Sequence, residues 1–211
     1  MTNILLAGVG GQGIILAGEI LSLSFIEMGF DVKKSDVHGM AQRGGSVVSH
    51  VRVGQRIDSP LIPKGKADVL LAFEALEALR WIDYLGPEGS LIVNRQKIMP
   101  ISVISGRRKY PENIYEKIAQ RHPQTCFVDA LNLANKTGHV RTVNSVMLGA
   151  LSFFMGIPDE TIKTVMAQLL PSKTLVFINL RAFEFGRQRL AARQDAKGIE
   201  RYTSIDSILT G

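Results

Sequence analysis

Two glycine-rich segments hold most of the groups with which this chain could do chemistry. The first, Gly8-Val9-Gly10-Gly11-Gln12-Gly13, has the spacing G-x-G-x-x-G and follows the apolar run Ile4–Ala7. Glycines so placed allow a tight turn and bring backbone N–H groups to a phosphate at the positive end of a helix. The same spacing also serves close strand–helix packing, or a loop pressed against another subunit, so three readings stand at this point. A nicotinamide or flavin site needs in addition an acid near the end of the second strand. Asp36 is the candidate, with Lys33 and Lys34 beside it to favour a 2′-phosphate. The second segment, His38-Gly39-Met40-Ala41-Gln42-Arg43-Gly44-Gly45-Ser46, offers an imidazole, a guanidinium, an amide and a glycine pair. Such groups suit a carboxylate or a phosphate. The alternative is a glycine-rich connection in which His38 and Arg43 hold neighbouring backbone. Loops that follow strands in a doubly wound sheet gather at one edge, so the two segments are expected side by side.

Other chemistries find no support. There is no G-x-x-x-x-G-K-[ST] and no G-x-S-x-G. His38, His50, His122 and His139 lack metal-ligand spacing, so no metal site is expected. Cys126 is the sole cysteine; it forms no internal disulfide and cannot by itself hold an iron–sulfur cluster, which takes about four thiolates. It reads as a packed thiol in a reduced, cytoplasmic compartment. No catalytic acid or base stands out.

The elements that must position these segments follow from periodicity. Ile4–Ala7 reads as a buried strand, Ile14–Met28 as a weakly amphipathic and therefore well-buried helix, and Asp31–Val37 as a second strand, together a βαβ unit. Gly18 near the apolar face of that helix implies close backbone packing. Ser46–Val53 alternates loosely and reads as a half-exposed strand. Ala67–Phe73 reads as a strand, Glu74–Leu85 as a helix, Gly86–Gly89 as a turn and Leu91–Asn94 as a strand, with Ile101–Ile104 as one more. Pro111–Arg121 is a predicted helix, Cys126–Asp129 a short strand and Ala130–Lys136 a helix. Asn144 is expected to cap a helix running to Phe154, and Pro158 to start the next. Lys173–Arg193 is a last long helix with a stripe of Leu175, Ile178, Ala182 and Phe185. Strands alternating with helices give an α/β class: a Rossmann-like doubly wound, mostly parallel sheet with flanking helices. One domain, residues 1–193, is followed by a loosely attached tail, 194–211.

The chain of 211 residues carries 25 Lys and Arg against 19 Asp and Glu, a formal charge of +6. The excess is local: Arg95 to Arg121 holds seven basic residues against Glu112 and Glu116, a net of +5. This is either a solvated surface or a face that meets something anionic. Aromatic residues are 7% and spread thinly, so the stacking platform of a nucleic-acid module is missing and no nucleic-acid partner is expected. No run reaches about 18 apolar residues, so no membrane span is expected.

The pairing of Gly8–Gly13 with Ser35–Arg52 resembles the gamma-type subunits of the 2-oxoacid:ferredoxin oxidoreductase family. It is most similar to the indolepyruvate branch, in its small (beta) subunits. The resemblance continues through Ser59–Ile62, Ala67–Glu74, Asn144–Leu151 and Asn179–Phe183, and so spans nearly the whole chain. It implies a subunit of an enzyme that oxidatively decarboxylates 2-oxoacids, arylpyruvates in this branch, to acyl-coenzyme A while reducing ferredoxin. Thiamine diphosphate and iron–sulfur clusters would belong to a large (alpha) partner. This chain, which lacks a thiamine-type G-D-G…N-N motif, would be inactive alone. It would contribute a Rossmann-like module to the coenzyme A side of the site. The residues carried over as interface or ligand-facing are Gly8, Gly10, Gly11, Gln12, Gly13, His38, Gln42, Arg43, Gly44 and Gly45. Two rivals remain at this level: a free-standing NAD(P)-dependent oxidoreductase, resting on the glycine loop and Asp36, and a non-enzymatic basic binding module.

Overall fold

The computed structural model describes residues 1–39 and 44–197, except for the side chains of 193–197. Its centre is strand β1 (Thr2–Val9), buried along its whole length. A strand that reads as a continuous apolar run is one covered on both faces. Alternate side chains divide the core. Ile4 and Leu6 face a layer built by α1 (Ile14–Glu27), α5 (Ala130–Asn135), α6 (Val143–Met155), α7 (Asp159–Leu169) and α8 (Lys173–Lys197). Leu5 and Ala7 face α2 (Ala75–Trp81) and α4 (Ile114–Arg121). The result is helices on both faces of a sheet of six strands.

The remaining strands are β2 (Asp31–His38), β3 (Ser46–Gly54), β4 (Ala67–Ala72), β5 (Leu85–Asn94) and β6 (Cys126–Val128), in the order β2-β3-β1-β4-β5-β6. Strands β4, β5 and β6 run parallel to β1, while β3 is antiparallel to both β1 and β2. Five strands therefore point one way, as the α/β reading requires. The expected βαβ unit is split, however. β3 turns back from β2 and inserts between it and β1, with Leu6 opposite Ser49 and Ser49 opposite Asp36. This position also corrects the half-exposed reading of Ser46–Val53. Val48, Ser49, His50 and Val51 are buried, because loose alternation in a strand with neighbours on both sides reflects tolerated small polar groups, not solvent.

Other boundaries moved for local reasons. Ile101–Ile104 is a one-turn helix, α3, not a strand; four apolar residues carry too little periodicity to decide. Gly86–Gly89 belongs to β5, where the register with β4 shifts between Ala67 and Val69. Asn144 lies inside α6, whose N-cap is Thr142. Pro158 is the N-cap of α7, with Asp159 and Glu160 in the first turn favouring the helix dipole.

Helix α8 buries Asn179, Ala182, Phe183 and Leu190, with Gly186 also buried, a stripe displaced from the expected Leu175–Ile178–Ala182–Phe185. The cause is a backbone-to-backbone crossing with α6. A methyl group added at Gly149 would overlap the Phe183 carbonyl, and one at Gly186 the Val146 carbonyl. Gly18 of α1 behaves as its sequence position implies, since an added Cβ there would lie 2.6 Å from Ser49 Oγ.

His50, buried in β3, accepts the Ile62 N–H on Nδ1 at 3.2 Å and packs edge-on against Tyr84. Burial holds its pKa below the ordinary 6.5, although Asp36 pulls it upward.

Two measurements check this account. Gly186→Ala should lose about 3 kcal/mol or more of stability, because a backbone carbonyl cannot rotate away as a side chain can. Gly39→Ala, whose Cβ site has no atom of the described residues within 4 Å, should melt like the parent; equal melting of the two variants would contradict the crossing. A depressed folded-state pKa means stability that is present above the unfolded value near 6.5 and lost as pH falls below it. His50→Asn keeps an acceptor for Ile62 but does not titrate. Thermal melts between pH 7.5 and 5 should therefore fall less steeply for the variant than for the parent.

Candidate functional site at the carboxyl edge of the sheet

All segments that leave the carboxyl ends of β1, β2, β4, β5 and β6 emerge on one edge. The two predicted loops meet there: the Gly10 N–H donates to the Gly45 carbonyl at 2.8 Å. The turn needs glycine at Gly11 and Gly13, whose φ values are +103° and +78°. Gly8 is required for a different reason, since a Cβ there would lie 2.9 Å from Gln12 Oε1, Ile14 Cδ1 and Phe73 Cβ.

Gln12 closes the loop with its own side chain. Its Oε1 accepts the Val9 N–H at 2.8 Å. Its Nε2 donates to the Phe73 carbonyl at 2.8 Å and to Gln96 Oε1 at 3.1 Å. Asn94 joins the same net, donating to the Phe73 carbonyl and to Gln96 Oε1 and accepting the Ala130 N–H. One amide thus ties the ends of β1, β4 and β5 together, and Asn94 extends the tie to the start of α5 beyond β6.

Helix α1 begins beyond this knot. Gly13 is its N-cap, no side chain caps it, and its first turn has no acidic residue. Among the described residues no side chain takes its first N–H groups, which with the positive dipole end suit an anion. Asn144 supports the same position from α6. It is buried, its Oδ1 accepts the Ser145 N–H, and its Nδ2 lies 2.8 Å from where a Gly13 Cβ would stand. Ser145 is committed elsewhere, donating to Asn179 Oδ1 at 2.6 Å.

Two buried carboxylates lie on the other side of the loops. Glu77 receives hydrogen bonds from Ser46 Oγ and from Trp81 Nε1 at 3.3 Å, with Arg80 at 3.5 Å. Burial raises its pKa; Ser46 and Arg80 work against that. Its contact with Ser46 fixes the point where the second loop enters β3. Glu74 caps α2 through the Glu77 N–H and also accepts the Ile98 N–H and the Tyr110 hydroxyl. Burial and this acceptor hold the Tyr110 phenol far above its ordinary value.

Of the sequence-predicted residues, Gly8, Gly10, Gly11, Gln12 and Gly13 gather with Gly44 and Gly45. His38 stands exposed at the end of the edge strand β2, opposite Val47. Gln42 and Arg43 lie outside the described residues. Asp36 does not reach the glycine loop. It sits level with Leu6, with β3 between it and β1, about 10 Å away at ordinary strand spacing. Its oxygens already accept from Lys34 Nζ at 2.8 Å and Ser49 Oγ at 2.6 Å. The ribose contact of a dinucleotide site is therefore absent among the described residues. Glu74, Glu77, Asn94 and Gln96 were not singled out by sequence. For Glu74, Asn94 and Gln96 the signal was present, since each stands at or just past the end of an apolar strand, where backbone ends need partners; Glu77 lies inside α2 and carries no such mark.

Gln12→Leu tests the knot. It leaves the buried Val9 N–H without its acceptor and the Phe73 carbonyl with Asn94 as its remaining side-chain donor, so urea denaturation should show a loss of about 1–3 kcal/mol. Unchanged stability would mean that the amide is not the staple.

Comparison with known proteins agrees with this geometry. The family model described as pyruvate ferredoxin/flavodoxin oxidoreductase matches residues 3–189. The chain is 42% identical over 189 residues to indolepyruvate oxidoreductase subunit IorB of Thermococcus kodakarensis, covering 87% of this chain and 93% of that protein. It is 38% identical over 199 residues to the IorB subunit of Archaeoglobus fulgidus, covering 92% and 98%. Among solved structures, the keto/oxoacid ferredoxin oxidoreductase gamma subunit of Geobacter sulfurreducens superposes with a TM-score of 0.67 at 26% identity, over 91% of this chain and 99% of that one. The family model matched over residues 3–189 and the near full-length relatives show that this chain, with its two joined glycine loops, belongs to the pyruvate ferredoxin/flavodoxin oxidoreductase family.

Proposed function

We propose that this chain is the small subunit of an indolepyruvate:ferredoxin oxidoreductase, oxidatively decarboxylating arylpyruvates to acyl-coenzyme A with a large subunit. The observation that carries the reading is the near end-to-end likeness to indolepyruvate oxidoreductase subunits, joined to an edge where the two loops are tied to each other and Asp36 stands two strands away from the glycine loop. Thiamine diphosphate supplies the carbanion chemistry of such a reaction when bound, and iron–sulfur clusters carry its electrons to ferredoxin. Those groups are assigned to the partner. Cys126 is buried in β6, and among the described residues no three His, Cys, Asp or Glu side chains come together as a metal site. No described helix is long and apolar enough to cross a membrane. The single packed thiol fits a reducing cytoplasm.

This chain's own contribution is positional. The N–H groups at the start of α1, together with the Asn144 amide nitrogen beside Gly13, are the donors proposed to meet a phosphate of coenzyme A. Gln12 holds the first loop and Glu77 the end of the second at Ser46. Arg43, from the second loop, is proposed to meet the same anion or the partner.

The chain alone should show no activity. Co-expression with the large subunit should give a complex that reduces ferredoxin with indolepyruvate and coenzyme A, and failure of that complex to form would overturn the proposal. In the complex, Asn144→Asp keeps the Ser145 contact but turns a donor into an acceptor. Losing a hydrogen bond to a charged group is worth about 1.5–3 kcal/mol, so KM for coenzyme A should rise about tenfold or more while KM for indolepyruvate holds.

A further inference from the structure

Past β5 the chain carries a surface unlike the rest of the carboxyl edge. Residues 98–110 project as a loop pinned at both ends to one oxygen: the Ile98 N–H and the Tyr110 hydroxyl both donate to Glu74 Oε1, at 3.1 and 2.7 Å. The pins hold a short projection whose apolar side chains point outward. Met99 is 46% exposed, Ile101 62% and Ile104 74%. Arg107, Arg108 and Lys109 follow at once, all exposed. Arg95 and Lys97 stand exposed at the root of the projection. They rest on rings instead of carboxylates: Arg95 lies 5.5 Å from the centroids of Tyr115 and Phe127, and Lys97 lies 5.1 Å from that of Tyr115.

Elsewhere the described cations that form ion pairs include Lys33, Lys34, Arg56, Arg80, Arg121 and Lys163. None of the five cations of this projection does so among the described residues. A merely solvated basic face has no need of three outward aliphatic side chains. An apolar centre with an arginine-rich polar rim is instead the anatomy of a protein interface. Its unbalanced charge calls for acidic groups opposite. The patch is also continuous with the candidate site: Gln96, between Arg95 and Lys97, accepts the Gln12 amide. A protein covering the glycine loop would meet this projection next.

We propose that the 95–109 projection docks the large subunit, with Met99, Ile101 and Ile104 entering an apolar depression rimmed by Asp and Glu. The inference rests on the subunit reading above and names the surface that reading leaves open. It makes Glu74 a positioning residue, since it holds the projection at both ends without touching the partner.

The test measures the affinity of the full chain for the purified large subunit at low and high sodium chloride. Parent affinity should weaken with salt. Ile104→Asp and the double variant Arg107→Glu/Arg108→Glu should each weaken binding about tenfold or more at low salt, the double variant with a reduced salt dependence. Both should melt like the parent, because the altered side chains are exposed. Arg56→Glu, a charge reversal remote from the patch, should bind normally. If the parent forms no complex, the subunit reading falls and this inference with it. If the parent binds and both patch variants bind equally well, only the docking surface is overturned. Retained complex affinity together with lost binding to phosphatidylcholine–phosphatidylserine vesicles would assign the patch to lipid and also overturn it.

Discussion

The carboxyl edge of this fold depends on a single primary amide. In a parallel sheet the strand ends leave backbone groups without ladder partners, and a phosphate-binding turn normally offers them to a ligand. Here Gln12 satisfies both kinds at once, taking the Val9 N–H and giving its own hydrogens to Phe73 and Gln96. The turn keeps the glycine spacing of a nucleotide loop, yet part of its hydrogen-bonding capacity is spent internally. What remains open is the start of α1 and the buried Asn144 beside it. The loop is thereby rigid before any ligand or partner arrives, and preorganisation of this kind lowers the ordering cost of association.

The insertion of β3 is the second constraint. By returning between β2 and β1 it pushes Asp36 to an edge strand and engages it with Lys34 and Ser49. The same hairpin delivers Gly45 to Gly10. One topological choice therefore removes the dinucleotide option and creates the two-loop contact that characterises the edge. Helices α2 and α4 on one face, and α1 with α5 to α8 on the other, then have only to hold this arrangement flat against the core.

Much of this was legible in the residues. The class, the first strand and helix, the glycine turn and the meeting of the two loops follow from periodicity and spacing. So does the close packing at Gly18, whose neighbour proved to be Ser49. The order of strands was not legible, because β3 looks locally like any alternating strand and only the pairing of distant residues places it. Nor was the buried face of α8, where Asn179 and Gly186 take positions that an apolar template assigns to Leu175 and Phe185. Ile101–Ile104 misled because a short aliphatic run has the same composition in a strand and in an exposed helical turn. Glu74, Glu77, Asn94 and Gln96 escaped notice because no motif spacing links them. Asn94 and Gln96 meet only when the sheet brings its strand ends level, and Glu77 reaches Ser46 only because α2 packs beside the start of β3.

The crossing of α6 and α8 has a consequence for which substitutions this chain can accept. At an ordinary packed contact a larger residue on one helix can be accommodated by a smaller one on its neighbour, so the two positions drift together. At Gly149 and Gly186 the obstacle is a peptide carbonyl, which every amino acid carries unchanged. No substitution on the opposite helix can make room, so neither glycine has a partner with which to co-vary. Each is locked singly, and the approach of the two helices is set by main chain against main chain instead of by any pair of side chains.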